Sequence, residues 1–264
     1  MTTSTLPSHT NLAAINKSSA KIATFLVRVV KPKLLSFTYT GKVDGQLKTG
    51  NSFQCFLVGT KGESYCLGIV KGSLAEQKKA EAKFKDGSPW KLTKAVFDNT
   101  APAYVSSPIK VRVDMSKSAL EECLAADEAI ARWPVPPRTV AETSVINTTK
   151  ATDLIGLVRD MSSTRTTKSN KAVCTVDLID GSEAEAEKVA VISVAVFGAE
   201  KIEFIRENQT KPLAFFNLMA KYENGAVNIN HWEDHDVVLA PTCTRTEYLE
   251  GKMASLFSIS ELST

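Results

Sequence analysis

The sequence predicts a mainly β chain built as two consecutive five-stranded Greek-key barrels with short helices. Three observations carry this. Strand-like alternation lies on both sides of a proline-rich stretch, each half has the order strand, strand, strand, helix, strand, strand, and the halves echo each other locally.

In the first half, residues 22–30 read as a strand. Residues 51–58 and 63–70 read as a strand pair joined by a Gly-containing turn. Residues 73–84 (Ser-Leu-Ala-Glu-Gln-Lys-Lys-Ala-Glu-Ala-Lys-Phe) predict a helix, and residues 90–97 and 108–113 two more strands. Residues 118–130 predict a further helix, with Ser118 as N-cap and Glu121 three residues on. Three prolines then fall in residues 133–137, and Ser/Thr-rich sequence follows to Thr149. Proline removes a backbone donor and stiffens the chain, so this stretch reads as a linker.

In the second half, Ala172, Cys174, Val176 and Leu178 alternate with Val173, Thr175 and Asp177. Residues 189–196 form a β-branched run, residues 199–206 a short helix after Gly198, and residues 226–232 alternate again. Leu26-Val27-Arg28 matches Leu157-Val158-Arg159, and Val70-Lys71-Gly72 matches Val196-Phe197-Gly198, each of the latter leading into a helix. Five strands with a helix between the third and fourth is the OB-fold arrangement. The expected organisation is a disordered tail (1–20), a first OB-fold domain (21–125), a helix end and linker (126–149), a second OB-fold domain (150–242) and a C-terminal helix (243–264).

Composition narrows the function classes. No apolar run reaches the ~18 residues of a membrane helix, so no membrane partner is expected. Five cysteines without a CxxC argue against both a disulfide framework and a zinc ribbon, and point to a reducing compartment. Residues 1–125 carry 18 Lys and Arg against 9 Asp and Glu, whereas residues 126–264 carry 14 against 20. A basic half suits a polyanionic partner or, equally, a solvated basic surface.

Residues 153–160 (Asp-Leu-Ile-Gly-Leu-Val-Arg-Asp), the polar loop 162–171 and residues 173–181 (Val-Cys-Thr-Val-Asp-Leu-Ile-Asp-Gly) carry a family resemblance. Residues 194–201 (Val-Ala-Val-Phe-Gly-Ala-Glu-Lys), 222–225 and 228–232 complete it. Together they resemble the DNA-binding OB domains of the replication protein A large subunit. The first half resembles that family mainly by strand order. The resemblance implies single-stranded DNA binding in replication, repair or at chromosome ends, a nuclear setting (cytoplasm or organelle being the alternatives), no cofactor and no catalytic step. In that family an aromatic at the end of strand three stacks on a base, and Phe197 matches this position. A second stacking aromatic lies between strands four and five, where this chain has Gly225 with Tyr222 close by. In the first half Lys71 stands where Phe197 stands in the second.

Residue chemistry independently outlines a strand-binding face. Single strands are held by cations along the backbone and flat rings under the bases. Ser193, Ala195 and Phe197 share one face of the third strand, and Asn228, Asn230 and Trp232 one face of the last. Phe197 and Trp232 are the candidate platforms, barrel closure being their competing use. Arg165, Lys168 and Lys171 in the first loop, Arg159 before it and Lys221 near the last turn are candidate phosphate contacts. In the first half the equivalent loop, residues 31–50, sets Lys31, Lys33, Lys42 and Lys48 around Phe37 and Tyr39. Lys91, Lys94, Lys110 and Arg112 extend that track, whereas Lys78, Lys79, Lys83 and Lys85 read as a solvated helix face.

No Walker loop, GxSxG or HExxH occurs. His231 and His235 with Cys243 lack a fourth metal ligand. Residues 247–257 predict an amphipathic helix that packs on the second barrel or serves self-association or a protein partner. RNA binding, a protein-binding OB scaffold and a subunit of a larger enzyme remain the alternative functions.

Overall fold

The computed structural model describes residues 8–12, 22–43, 45–60, 65–98, 110–136, 138–146, 148–181, 190–223, 226–232 and 236–262. Two compact units emerge: Met1–Pro102 with Ser107–Pro134, and Ala103–Ser106 with Val135–Thr264.

The first unit runs β1 (Ile22–Thr40), β2 (Leu47–Gly59), β3 (Tyr65–Lys71), α1 (Leu74–Lys83), β4 (Pro89–Asp98), β5 (Lys110–Asp114) and β6 (Ala119–Glu122). Its sheet order is β1-β2-β3-β5-β4, and β4 returns to pair with β1. Among the described residues of this barrel, only the β3–β5 pairing is parallel. This closed order, with α1 between the third and fourth strands, is the OB barrel. Alternate residues Phe25, Val27 and Val29 face a core shared with Phe53, Cys55, Leu57, Phe84, Trp90 and Phe97. α1 begins where the sequence predicts, because Ser73 and Glu76 form a reciprocal capping box.

The second unit opens with α2 (Val140–Ser144) and continues β7 (Lys150–Met161), β8 (Arg165–Thr166), β9 (Ala172–Ile179), β10 (Ile192–Phe197), α3 (Ala199–Glu207), β11 (Leu213–Glu223), β12 (Ala226–His231), β13 (Val237–Leu239) and α4 (Thr244–Leu262). Pairings β7-β9-β10-β12-β11 and back to β7 close the same circle, again with one parallel contact, β10 with β12. Each barrel thus has its own five-strand closure. Two small units, rather than one large core, are what a chain of this length and strand spacing supports.

Several expectations are corrected. Residues 118–130 are not a helix: Ala119–Glu122 pair with β4, and only a short 3-10 turn follows at Leu124–Ala126. The hydroxyl of Ser118 donates to the Lys94 carbonyl and accepts the Asp114 N–H, so it closes a turn instead of capping a helix. Tertiary pairing overrides the helix propensity of Ala, Leu and Glu. The segment read as a linker carries structure. Ala126, Ile130 and Trp133 pack over Leu26, Val30 and Val58 on the outer face of the first barrel, and α2 has its own capping box, Thr139 with Glu142. The Thr139 N–H, then the Thr139 hydroxyl, hold the Glu142 carboxyl below its usual range. Residues 8–12, expected in the tail, are docked. Leu12 is buried against Gly59, where a Cβ on the glycine would come within 3.3 Å of the leucine, and the Thr10 N–H donates to the Thr24 carbonyl.

The expected loop at 31–50 is mostly strand. β1 and β2 continue as a two-stranded ribbon, interrupted by a bulge between Val30 and Lys33 where Lys31 takes a left-handed φ of 49°. Finally, α4 buries Leu249 and Leu256, the latter beside Gly181, so it packs within the second unit.

Candidate nucleic-acid interface

On the second barrel, alternation decides which side chains face out. Val194 and Val196 of β10, Cys174 and Val176 of β9 and Ile229 of β12 fill the core, so their strand neighbours line the outer face. The register sorts these neighbours into three rungs, about 7 Å apart along the strands. Arg165, Val173 and Phe197 stand opposite one another on the first. Thr175, Ala195, Asn230 and Met219 make the second. Asp160, Asp177 and Ser193 make the third, with Asn228 opposite Lys221 on the strands beyond.

Trp232, one residue past β12, closes over the first rung. Its ring stacks on Phe197 with centroids 4.6 Å apart and planes at 24°. Phe197 is half-buried, whereas Trp232 keeps 36% of its surface exposed. The pair therefore forms a two-ring stack whose tryptophan is exposed, beside the small side chains of Thr175 and Ala195.

Lys201 and His231, which sequence reasoning left unassigned, hold this platform. His231 is fully buried, and its Nε2–H lies 3.2 Å from the Phe216 carbonyl and 3.0 Å from that of Asp236. Its Nδ1 accepts from the Lys201 ammonium at 3.1 Å, and the same ammonium donates to the Trp232 carbonyl. The imidazole is thus a structural strut, with both ring nitrogens engaged. Replacing Lys201 with Met removes this donor from the buried Nδ1, at an expected cost of about 1–3 kcal/mol. Thermal unfolding of the variant checks this: an unchanged midpoint contradicts the strut.

The loop 162–171 is a short hairpin built on β8. The Thr167 N–H donates to the Lys171 carbonyl at 2.8 Å, and Asn170 takes φ 58°. Arg165, Lys168 and Lys171 are exposed on it, at the aromatic end of the face, while Arg159 is half-buried beside a β7 bulge. The opposite end is acidic. Asp177 accepts the Ser193 hydroxyl at 2.6 Å, and Asp160 is exposed across from it. A polyanion is drawn to the first rung and repelled by Asp160 and Asp177 on the third, beyond which Lys221 restores a positive charge. Asp177→Asn is accordingly expected to tighten oligonucleotide binding about 2- to 5-fold at low salt, with the gain shrinking as salt rises. A salt series of binding isotherms checks it.

Tyr222 does not join this constellation. It stands opposite Val227, on the other side of β11 from Lys221 and near the opposite end of β12 from Trp232. A bulge between Phe215 and Leu218, with Asn217 at φ 55°, shifts the parity of β11.

The first barrel shares the register but not the chemistry. Lys71 stands opposite Asp114 in the parallel pair, matching Phe197 and Trp232. The Ser116 hydroxyl, then its N–H, hold the Asp114 carboxyl below its usual range, so a carboxylate occupies the place of the tryptophan. Arg112 and Lys110 lie on the outward face of β5 opposite Ile69 and Leu67, and Lys94 is exposed at φ 59°. Lys91 is 3.8 Å from the Glu121 carboxylate, so its charge is opposed, and it adds less to a basic track than the sequence implies. The aromatics of this unit stand on the ribbon. Phe37 and Tyr39 are 48% and 47% exposed, with ring centroids 6.1 Å apart. Lys33, Lys42 and Lys48 are exposed around them, and Lys31 sits at the bulge, its N–H bonded to Asp86. Among the described residues, no group of three His, Cys, Asp or Glu could hold a metal ion, and His235 lies outside the described residues.

Fold and face together define a tandem OB-fold chain with an exposed aromatic platform on one barrel. No family model matches the sequence, and no curated protein matches it. Among solved structures, the chain is similar to one from a replication protein A heterotrimer bound to ssDNA, with 12% identity and a TM-score of 0.48, covering 94% of this chain and 55% of that one. It is also similar to the Ifi202 HINa domain in complex with dsDNA (11% identity, TM-score 0.38, 83% of this chain and 96% of that one). The p204 HINb domain is another such structure (10% identity, TM-score 0.40, 81% and 95%). The chain thus spans 55% of the length of the replication protein A chain it matches.

Proposed function

We propose that the protein binds single-stranded DNA, with the second barrel stacking bases on Phe197 and Trp232 and the cations of its first hairpin meeting phosphate. The observation that carries this is the exposed, near-parallel ring pair on the same rung as Arg165. In the first unit, Phe37 and Tyr39 with Lys33, Lys42 and Lys48, together with Lys110 and Arg112, give a second contact surface. Binding is mainly electrostatic and stacking, with little base choice and no chemical step. A role in strand protection during replication or repair, in the nucleus, belongs to the same proposal.

Titration of labelled oligo-dT, oligo-rU and a duplex at several salt concentrations tests it. Five cations, Arg159, Arg165, Lys168, Lys171 and Lys221, set a slope of log K against log salt of about −3.5 for the second barrel alone. Tighter binding of oligo-dT than of oligo-rU is expected. Equal or tighter RNA binding replaces DNA with RNA as the ligand, and failure to bind any of the three leaves a protein-binding scaffold.

A further inference from the structure

We propose that the β1–β2 ribbon of the first barrel is a wedge for duplex ends, so that the protein prefers junctions between single and double strands. The proposal rests on the single-strand reading above for the part of the ligand that is unpaired.

The ribbon leaves the barrel as a free-standing arm. β4 pairs with β1 only as far as Arg28, and β3 pairs with β2 only from Phe53 onward. The five pairs from Ser36–Asn51 to Thr40–Leu47 therefore stand outside the closed sheet. At about 3.4 Å per residue they extend roughly 15 Å before the turn. Two hydrogen bonds between Gly41 and residues 45 and 46 close that turn tightly.

Its two faces differ. Phe37 and Tyr39 lie on one, across from Gly50 and Lys48. Phe37 rests directly on the glycine: a Cβ at Gly50 would come within 2.7 Å of its ring, and the residue still keeps 48% of its surface exposed. The reverse face is a row of hydroxyls and an amide, Ser36, Thr38 and Thr40 opposite Asn51 and Thr49. At the tip, Val43 is 100% exposed and Leu47 80%. Apolar side chains are placed here where no core can receive them.

This distribution fits duplex DNA. A two-stranded ribbon enters a groove about 12 Å wide. Hydroxyls, amides and lysines are the groups that meet phosphate, and apolar side chains are the groups that part base steps. The arm supplies all of these, with Lys42 and Lys48 flanking the apolar tip. Asp44, the single acid in the sequence of the arm, lies outside the described residues. The matching hairpin of the second barrel, at Arg165–Thr166, is short and wholly polar, so the wedge belongs to the first unit alone.

The test uses the full chain and three labelled DNA probes: oligo-dT, a blunt duplex, and the same duplex carrying oligo-dT as a tail. A 2-aminopurine in the terminal pair next to the tail reports unstacking. Simultaneous contact with tail and duplex is expected to tighten binding of the tailed probe at least about tenfold over oligo-dT, with brightening of the 2-aminopurine. The V43S/L47S variant, changed only at exposed positions, is expected to lose that preference and the brightening while binding oligo-dT as before. A tailed probe bound no more tightly than oligo-dT, or a preference that survives V43S/L47S, overturns the proposal. The two readings fail separately, because oligo-dT affinity untouched by F197A/W232A defeats the single-strand reading and leaves the arm to be judged by its own variant.

Discussion

Replacing Phe197 and Trp232 together with alanine is expected to weaken oligo-dT binding by about 2–3 kcal/mol, roughly 30- to 150-fold in Kd. One stacked base is worth about 1–3 kcal/mol. The two rings lie on each other, so the outer face of the pair, rather than two separate rings, meets the base. Their losses are therefore not additive: Phe197→Ala already frees Trp232 from its support. Trp232→Phe keeps a flat ring and retains most of the affinity. Neither residue belongs to the buried core cluster of its barrel, so the double variant keeps its fold. Fluorescence anisotropy of labelled oligo-dT at fixed salt reads the effect. Affinity within a factor of about two of wild type means that bases are held elsewhere, since loss of even one stacked base exceeds that.

A comparably large effect, on stability instead of binding, is expected at Arg28. This guanidinium is buried in β1 and gathers the chain that covers the back of the first barrel. Its Nε and Nη2 donate to the Ile130 carbonyl at 3.0 and 2.6 Å, and Nη2 also donates to the Asp127 carbonyl. Nη1 reaches the Asp127 carboxylate at 2.7 Å and the Gly87 carbonyl at 2.5 Å. Arg28→Met conserves the stem but strands these acceptors, at an expected cost of about 3 kcal/mol. The Asp127 carboxylate is more than half exposed, so its ion pair contributes little of this, and the buried carbonyls contribute most. Arg28→Lys rescues poorly, because a single ammonium nitrogen cannot span the acceptors that the three guanidinium nitrogens reach. Chemical denaturation checks both variants. A lysine variant as stable as wild type contradicts the forked geometry.

Much of this was legible in the sequence, for identifiable reasons. Val194, Val196 and Ile229 alternate cleanly with Ser193, Ala195, Phe197 and Asn230, so the core and the open face of the second barrel follow from period-two patterning. The matched positions of Lys71 and Phe197 follow from Val-x-Gly before each helix, and the parallel registers place them equivalently. Other features depend on contacts between elements distant in sequence. Lys201 reads as an ordinary first-turn helix lysine, and only its meeting with His231, thirty residues on, makes it a strut. The ribbon escaped because Pro32 and the Lys31 bulge break the alternation just where the arm begins. Tyr222 is a candidate contact only by its closeness to Gly225 in sequence, and the β11 bulge sends it to the other side of the strand. Ala119–Glu122 carries helix formers, yet an available edge of β4 draws it into the sheet.

Ultraviolet cross-linking of bound oligo-dT to the intact protein, with the linked residues mapped by mass spectrometry, reaches the central claim most directly. Adducts are expected on Trp232 and Phe197, lost when excess unlabelled oligo-dT competes. Adducts confined to other surfaces, with the Phe197–Trp232 peptides unmodified at saturation, contradict it.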